Sequence, residues 1–446
     1  MQNTSNDTSV SRRHSATHSS TVVMKFGGTS VALAEDIKRA ARRIVAARES
    51  GRQVVAVLSA RGKTTDELVA AAYEISERPL AREMDMLLST GERISCALCA
   101  MAIHDMGHSA ISLTGSQAGI VTDSSHTKAR ILDVRADRIR TGLDEDRIVL
   151  VAGFQGVSGD SHDVTTLGRG GSDTTAVAIA AALGAEVCEI YTDVAGVFSA
   201  DPRLVPGARK LKLVSFEEML EMSSSGAGVL QLRAVEYGRN HGVRIHCRSS
   251  FEDAPGTLVL AEDETMERPM VTAVTHASNE ARVTLTGVRD EPGVAGRIFV
   301  ALAEANVNVD MIIQNEPVSE DDVADLSFTL SRDELRTATD ALSGLGLSDG
   351  IETDERIGKV SIVGAGMRSH PGVAAKVFQT LGEQEINIEM ISTSPIKISC
   401  VIGADAVPGA VRALHEAFEL GAEAVREEDP AGEHRPRVRP GDEEAA

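Results

Sequence analysis

From Thr21 onward, short runs of β-branched and aliphatic residues alternate with Ala-rich helical stretches. That alternation predicts an α/β layer architecture on a mainly parallel sheet. Strands are expected at Val22–Phe26, Gln53–Ser59, Ser109–Leu113, Arg147–Ala152, Val187–Tyr191 and Val243–Cys247, with helices at Ala34–Glu49, Arg82–Met106 and Thr174–Leu183. Residues 1–20 are polar, rich in Ser and Thr and without apolar period, so they read as a disordered extension to a domain spanning 21–262.

The stretch Glu262–Pro269 holds four acidic residues and little apolar content, the composition of a linker. Beyond it the chain repeats itself. Pro292–Ile312, PGVAGRIFVALAEANVNVDMI, aligns without gaps on Pro371–Ile391, PGVAAKVFQTLGEQEINIEMI, with ten of twenty-one positions identical. Such self-similarity marks a duplicated domain. Each copy reads strand, Pro-Gly turn, amphipathic helix, strand. Two small α+β sandwiches are therefore expected, at 263–350 and 351–426, before a charged, Pro-rich, disordered tail at 427–446.

A chain of 446 residues exceeds what one core usually supports, which agrees with several domains. With 3% aromatic residues and no Trp, the core must be built from Val, Ile, Leu and Ala. The formal charge of -21 excludes a net basic field, so nucleic acid is not an expected partner. No apolar core follows Arg12 and Arg13 as a signal peptide requires, and no apolar run suggests a membrane span, so a cytoplasmic protein is expected. Cys96 and Cys99 form a lone CxxC inside an apolar helical run, which favours small core residues over a zinc or redox site. Neither these nor the twelve histidines show metal-ligand spacing, and no protein-held metal is expected.

Three glycine-bearing loops carry candidate chemistry. KFGGTS, Lys25–Ser30, follows the first strand, where Gly27 and Gly28 let backbone approach a phosphate and Lys25 supplies a mobile charge. A plain turn would look the same, and the GxxxxGK[ST] pattern is absent. TTLGRGGSDTT, Thr165–Thr175, leads into an apolar helix with Ser172 placed as N-cap and Asp173 in the first turn. Capping alone does not need Arg169, which can grip a carboxylate with two prongs. YTDVAGVFSADPR, Tyr191–Arg203, sets polar residues after a strand, where open α/β sheets bind ligands.

Together with SARGKTTDEL (Ser59–Leu68), STGERIS (Ser89–Ser95) and LTGSQAG (Leu113–Gly119), these segments occur in an order that resembles the aspartate kinases of the amino-acid kinase family, from about Val22 to Leu420. The duplicated region is similar to the tandem ACT domains of such enzymes, of the actinobacterial type. The resemblance implies an amino-acid kinase sandwich followed by two ferredoxin-like ACT domains. It also implies phosphorylation of aspartate by ATP with Mg²⁺, the entry to lysine, threonine and methionine biosynthesis. By the same resemblance Lys25 and Asp173 are catalytic, and Thr65, Glu92, Arg169, Gly170, Gly171 and Ser172 hold aspartate. Lys25, Phe26, Gly27, Gly28, Thr192, Asp193, Phe198, Arg203, Gly228 and Val229 would face the nucleotide. Asn308, Gln314, Asn315 and Asn387 follow the pattern for a lysine or threonine effector, in a homo-oligomer or a catalytic and regulatory hetero-oligomer joined through the ACT domains.

The chain departs from that pattern at several positions. The family's Gly-Ala-Lys-Val-Leu is here Gly226, Ala227, Gly228, Val229, Leu230, so a phosphate-facing lysine is missing and slower turnover is expected. Glu316, Pro317 and Pro395 replace residues near the effector pattern, which implies weakened feedback. The competing readings are an acetylglutamate or glutamate kinase, which would lack the repeat, and a weakened or inert paralogue that serves as an amino-acid sensor.

Overall fold

The computed structural model describes residues 20–262, 270–314 and 323–421. Expectations that fall on 1–19, 263–269, Asn315, Glu316, Pro317 and the tail beyond 421 lie outside the described residues.

An eight-stranded sheet forms the first domain, in the order Leu213–Ser215, Thr257–Leu260, Arg244–Ser249, Val187–Thr192, Thr21–Phe26, Gln53–Leu58, Ile148–Ala152, Ala110–Leu113. All neighbours are parallel except Arg244–Ser249 with Thr257–Leu260. Side chains of a strand alternate between faces, and both faces here are apolar because both are covered. On one side Val22, Met24 and Phe26 pack with Ile37, Ile44, Cys99 and Ile103 of helices Ala34–Glu49 and Thr90–Asp105. On the other, Val23 and Val57 pack with Ala176, Val177 and Val235 of helices Gly171–Leu183 and Leu232–His241. A four-stranded sheet of Ile131–Val134, Ile120–Thr122, Gln155–Ser158 and Val164–Thr166 stands beside them.

The helix expected over Arg82–Met106 is two, Ala81–Leu88 and Thr90–Asp105, with hydroxyls at the junction bonding back into the preceding turn: Ser89 Oγ donates to Met86 O and Thr90 Oγ1 to Leu87 O. By length and composition Ala81–Asp105 could cross a membrane, which the sequence reading did not see; half of its most apolar window is buried inside the domain. Cys96 and Cys99 are free and buried within it, as core residues.

Each repeat builds a four-stranded antiparallel sheet with two helices. The first sheet runs Val309–Gln314, Val323–Ser331, Glu280–Arg289, Gly350–Asp354, and the second Ala273–Ala277, Ile357–Val363, Lys397–Gly403, Ile388–Ser394. The strand pairing does not divide at the 350/351 boundary expected between the repeats. Gly350–Asp354 completes the first sheet, and Ala273–Ala277 crosses over to pair with Ile357–Val363 in the second. The equivalent residues Met311 and Met390 meet in a small shared core with Ile357 and Val401, so the copies pack against each other.

Candidate functional site

The parity of the first strand determines what its end can do. Lys25 points with Val23 toward helix Gly171–Leu183, while Phe26 points to the opposite face and stacks on Tyr191 at 4.8 Å. Lys25 Nζ therefore meets Asp173 Oδ1 at 2.5 Å in that helix's first turn, both side chains about nine-tenths buried. Phe26 can offer a ligand only its backbone. The amide of Gly27 donates to Tyr191 O at 3.2 Å and so is already engaged. Gly28 permits a close approach: a Cβ there would stand 2.9 Å from Ala60 O, and its carbonyl accepts from Gly62 N at 2.9 Å.

The segment 59–65 is drawn onto this turn, and Glu92 fastens it from the other side. Glu92 is buried, accepts from Ala60 N at 3.1 Å through Oε1, and leaves Oε2 without a partner among the described residues. Burial pushes its carboxyl up to about 7, against the pull of hydrogen bonds from backbone amides. Thr65 is half-buried in the first turn of helix Thr64–Ile75, and Thr64 lies beneath Gly91. Thus Lys25, Gly27, Gly28, Thr65, Glu92 and Asp173 gather at the carboxyl end of the central strands.

The second loop differs in detail from its reading. The N-cap is Gly170, in the left-handed region at φ +70°, and Ser172 is the helix's second residue, buried beneath Gly153. Its backbone is held by Gln231, whose Nε2 donates to Arg169 O at 3.0 Å. The Arg169 side chain is exposed and has no hydrogen-bond or ion-pair partner among the described residues. Asp85 was not foreseen. This fully buried carboxylate accepts from Thr166 Oγ1 at 2.5 Å and from Thr127 N, and binds His126 Nδ1 at 2.6 Å, fixing the strand that feeds the Arg169 loop.

The third loop bounds a cavity of about 440 Å³, lined by Thr192, Asp193, Phe198, Arg203, Gly228 and Val229 among others. All six residues were expected together. Arg203 is not free, since its guanidinium grips Asp201 with two prongs, at 3.0 and 2.7 Å. Gly228 is exposed, with nothing within 4 Å of where its Cβ would stand. Three further lining residues, Val274, Thr275 and His276, carried no motif in the sequence.

Among the effector candidates, Gln314 lines a separate cavity of about 380 Å³ with Asp290, Pro292 and Gly293, and donates to Asp290 at 3.3 Å. Asn308 is exposed at the other end of the same strand, its amide donating to Glu334 at 3.3 Å, and Asn387 is exposed in the second repeat. These three do not converge on one cavity. Among the described residues no group of three or more His, Cys, Asp or Glu could hold a metal ion.

Residues 20–249 match the amino acid kinase family, and 283–344 with 360–418 match an ACT domain. The chain is 56% identical over 407 residues to the aspartokinase of Mycolicibacterium smegmatis, covering 90% of this chain and 97% of that protein. It is similar to the crystal structure of E. coli aspartokinase III in complex with aspartate and ADP in the R-state, with TM-score 0.77, 26% identity and coverage of 89% and 99%. The T-state structure of that enzyme, in complex with lysine and aspartate, gives TM-score 0.67 at the same identity, covering 89% and 99%.

Proposed function

The chain belongs to the amino acid kinase family and, within it, to the aspartokinases, and from that membership we propose how its residues transfer the γ-phosphoryl group of ATP to the β-carboxylate of L-aspartate. The acceptor is ionised at pH 7, so no strong general base is required. Catalysis reduces to neutralising charge and aligning an oxygen with phosphorus. The product is the mixed anhydride 4-phospho-L-aspartate.

The observation that carries this reading is the buried, unpartnered Oε2 of Glu92 beside the phosphate-facing turn. A buried carboxylate oxygen without a donor is stabilised by an arriving cation, and an amino-acid substrate brings one in its ammonium group. Arg169, exposed and free, then takes the α-carboxylate with two prongs, and Thr65 lies close to the same turn. Lys25, held by Asp173, faces the transferred phosphoryl group, and the 440 Å³ cavity receives the nucleotide. Mg²⁺ would arrive bound to the ATP phosphates, where it would neutralise their charge.

At the repeats, the Gln314 cavity is the place for an amino-acid effector, lysine or threonine. Ile312 and its equivalent Ile391 are half-exposed on edge strands of the two sheets, which favours association with the repeats of another chain. Aspartate-dependent release of ADP from ATP tests the reaction, and its absence with purified protein would leave the sensor reading in place. Light scattering of Ile312→Lys tests the association; an unchanged mass would remove it.

A further inference from the structure

One wall of the nucleotide cavity does not come from the kinase domain. Val274, Thr275 and His276 belong to Ala273–Ala277, an outer strand of the second regulatory sheet. One edge of that strand pairs with Ile357–Val363, and from it Val274 N also donates to Ser199 O of the nucleotide loop at 2.8 Å. Ser199 Oγ donates in turn to Leu420 O and bonds His415 Nε2, both at 3.0 Å, beyond and within the last helix of the repeat. Ala200 and Val205 of the same loop lie in the apolar core of the second repeat with Val274, Ile362 and Leu414. The loop thus belongs structurally to both domains.

The opposite lip of the cavity is pressed onto the same strand. Gly226, at φ +101°, leaves so little room that a Cβ would stand 1.9 Å from His276 O, and Gly228 and Val229 follow directly. Two polar groups on this wall lack partners. Thr275 is 5% exposed with Oγ1 unbonded, and the half-buried His276 ring makes no hydrogen bond among the described residues. Burial holds the His276 imidazole below its usual range, so at pH 7 the ring is neutral, with one donor and one acceptor nitrogen. Buried polar groups ordinarily find a partner, and both residues line the cavity, though as neighbours on a strand their side chains point to opposite faces.

We propose that His276 contacts the nucleotide, so that the regulatory sheet supplies the base-side wall of the ATP site. The inference rests on the kinase reading of this cavity. Thr192 and Asp193 adjoin the phosphate turn, because Val187–Thr192 pairs with the first strand up to Phe26 and Tyr191. The remaining lining is more apolar, through Val197, Phe198, Met222 and Val274, apart from the Asp201–Arg203 ion pair. An apolar slot with a neutral imidazole suits a flat base with donor and acceptor edges better than a triphosphate. Displacement of the strand by an effector at the repeats would then reach ATP without passing through the aspartate pocket.

The test uses the full chain, with ADP titrated calorimetrically and both KM values measured. His276→Ala is expected to weaken ADP about tenfold, to raise the ATP KM with it, and to leave the aspartate KM within about twofold. His276→Gln, which keeps a donor and an acceptor, should recover part of the loss. Both variants should narrow the preference for ADP over GDP, a change that a purely structural role for the ring would not produce. Variants that melt like the parent and bind ADP and GDP as the parent does overturn the inference and leave the kinase reading intact. A parent chain that binds no ADP removes both.

Discussion

Lys25 and Asp173 meet at 2.5 Å across 148 residues of sequence, one at the end of the first strand and the other in the first turn of helix Gly171–Leu183. Strand parity aims the lysine at that helix, and the helix N-terminus favours the carboxylate. On the proposed reading, the pair holds the phosphate-facing cation in place before ATP arrives. Removing one partner of such a buried pair strands the other charge. Asp173→Asn is therefore expected to lower kcat by about a hundredfold and stability by about 3 kcal/mol. Steady-state rates and denaturant unfolding read the two effects. A variant with parental kcat would show that Asp173 does not position the lysine.

Arg169→Lys should raise the aspartate KM far more than the ATP KM, because a point ammonium cannot replace a two-pronged contact. The loss should be about 2 kcal/mol, or roughly thirtyfold. Equal effects on both substrates would remove Arg169 from the acid-binding role.

Glu92 supplies a pH test. Its carboxyl, raised to about 7, must ionise to receive the substrate ammonium. Between pH 8 and pH 6 the ionised fraction falls about tenfold, so the aspartate KM should rise about tenfold while the ATP KM stays level. For stability the sign is opposite. The folded chain holds a proton that the unfolded chain releases near the ordinary carboxylate value, so folding weakens as pH rises from about 4.5 to about 7 and stays weakened above. Glu92→Gln should flatten both profiles. An aspartate KM that keeps its slope in that variant would assign the titration to another group.

The sequence conveyed what local pattern encodes. Helix Ala34–Glu49 forms over the expected span, and the six strand candidates fall within a residue or two of their observed ends. What it did not convey depends on distant pairing. Nothing local in Ala273–Ala277 says that it joins Ile357–Val363 rather than its sequence neighbour, so the repeat boundaries shifted and His276 escaped notice. Ser172 has the right chemistry for an N-cap, but left-handed Gly170 ends the loop two residues earlier. Likewise Asp85 reads as a helix-surface acid until folding buries it against Thr166 and His126. The six residues expected to face a nucleotide do line one cavity, because their loop motifs carry that signal whatever the packing around them.

Gly228 replaces the lysine of the related pattern, and the open space around it admits a long side chain. Arg203 shares the cavity, but its guanidinium is tied to Asp201. Gly228→Lys is expected to raise kcat by up to about a hundredfold, with a lower ATP KM. Parental values of both constants would show that no catalytic charge is missing there.

On the proposed reading, a carboxylate of aspartate accepts the phosphoryl group. Hydroxylamine converts an acyl phosphate to a hydroxamate and leaves free carboxylates and phosphate esters unchanged. Purified chain with ATP, Mg²⁺, aspartate and hydroxylamine should accumulate aspartyl hydroxamate in step with ADP, and glutamate or N-acetylglutamate in place of aspartate should give none. ADP without hydroxamate would show that no acyl phosphate forms, and hydroxamate from glutamate at an equal rate would show that aspartate is not the selected acceptor.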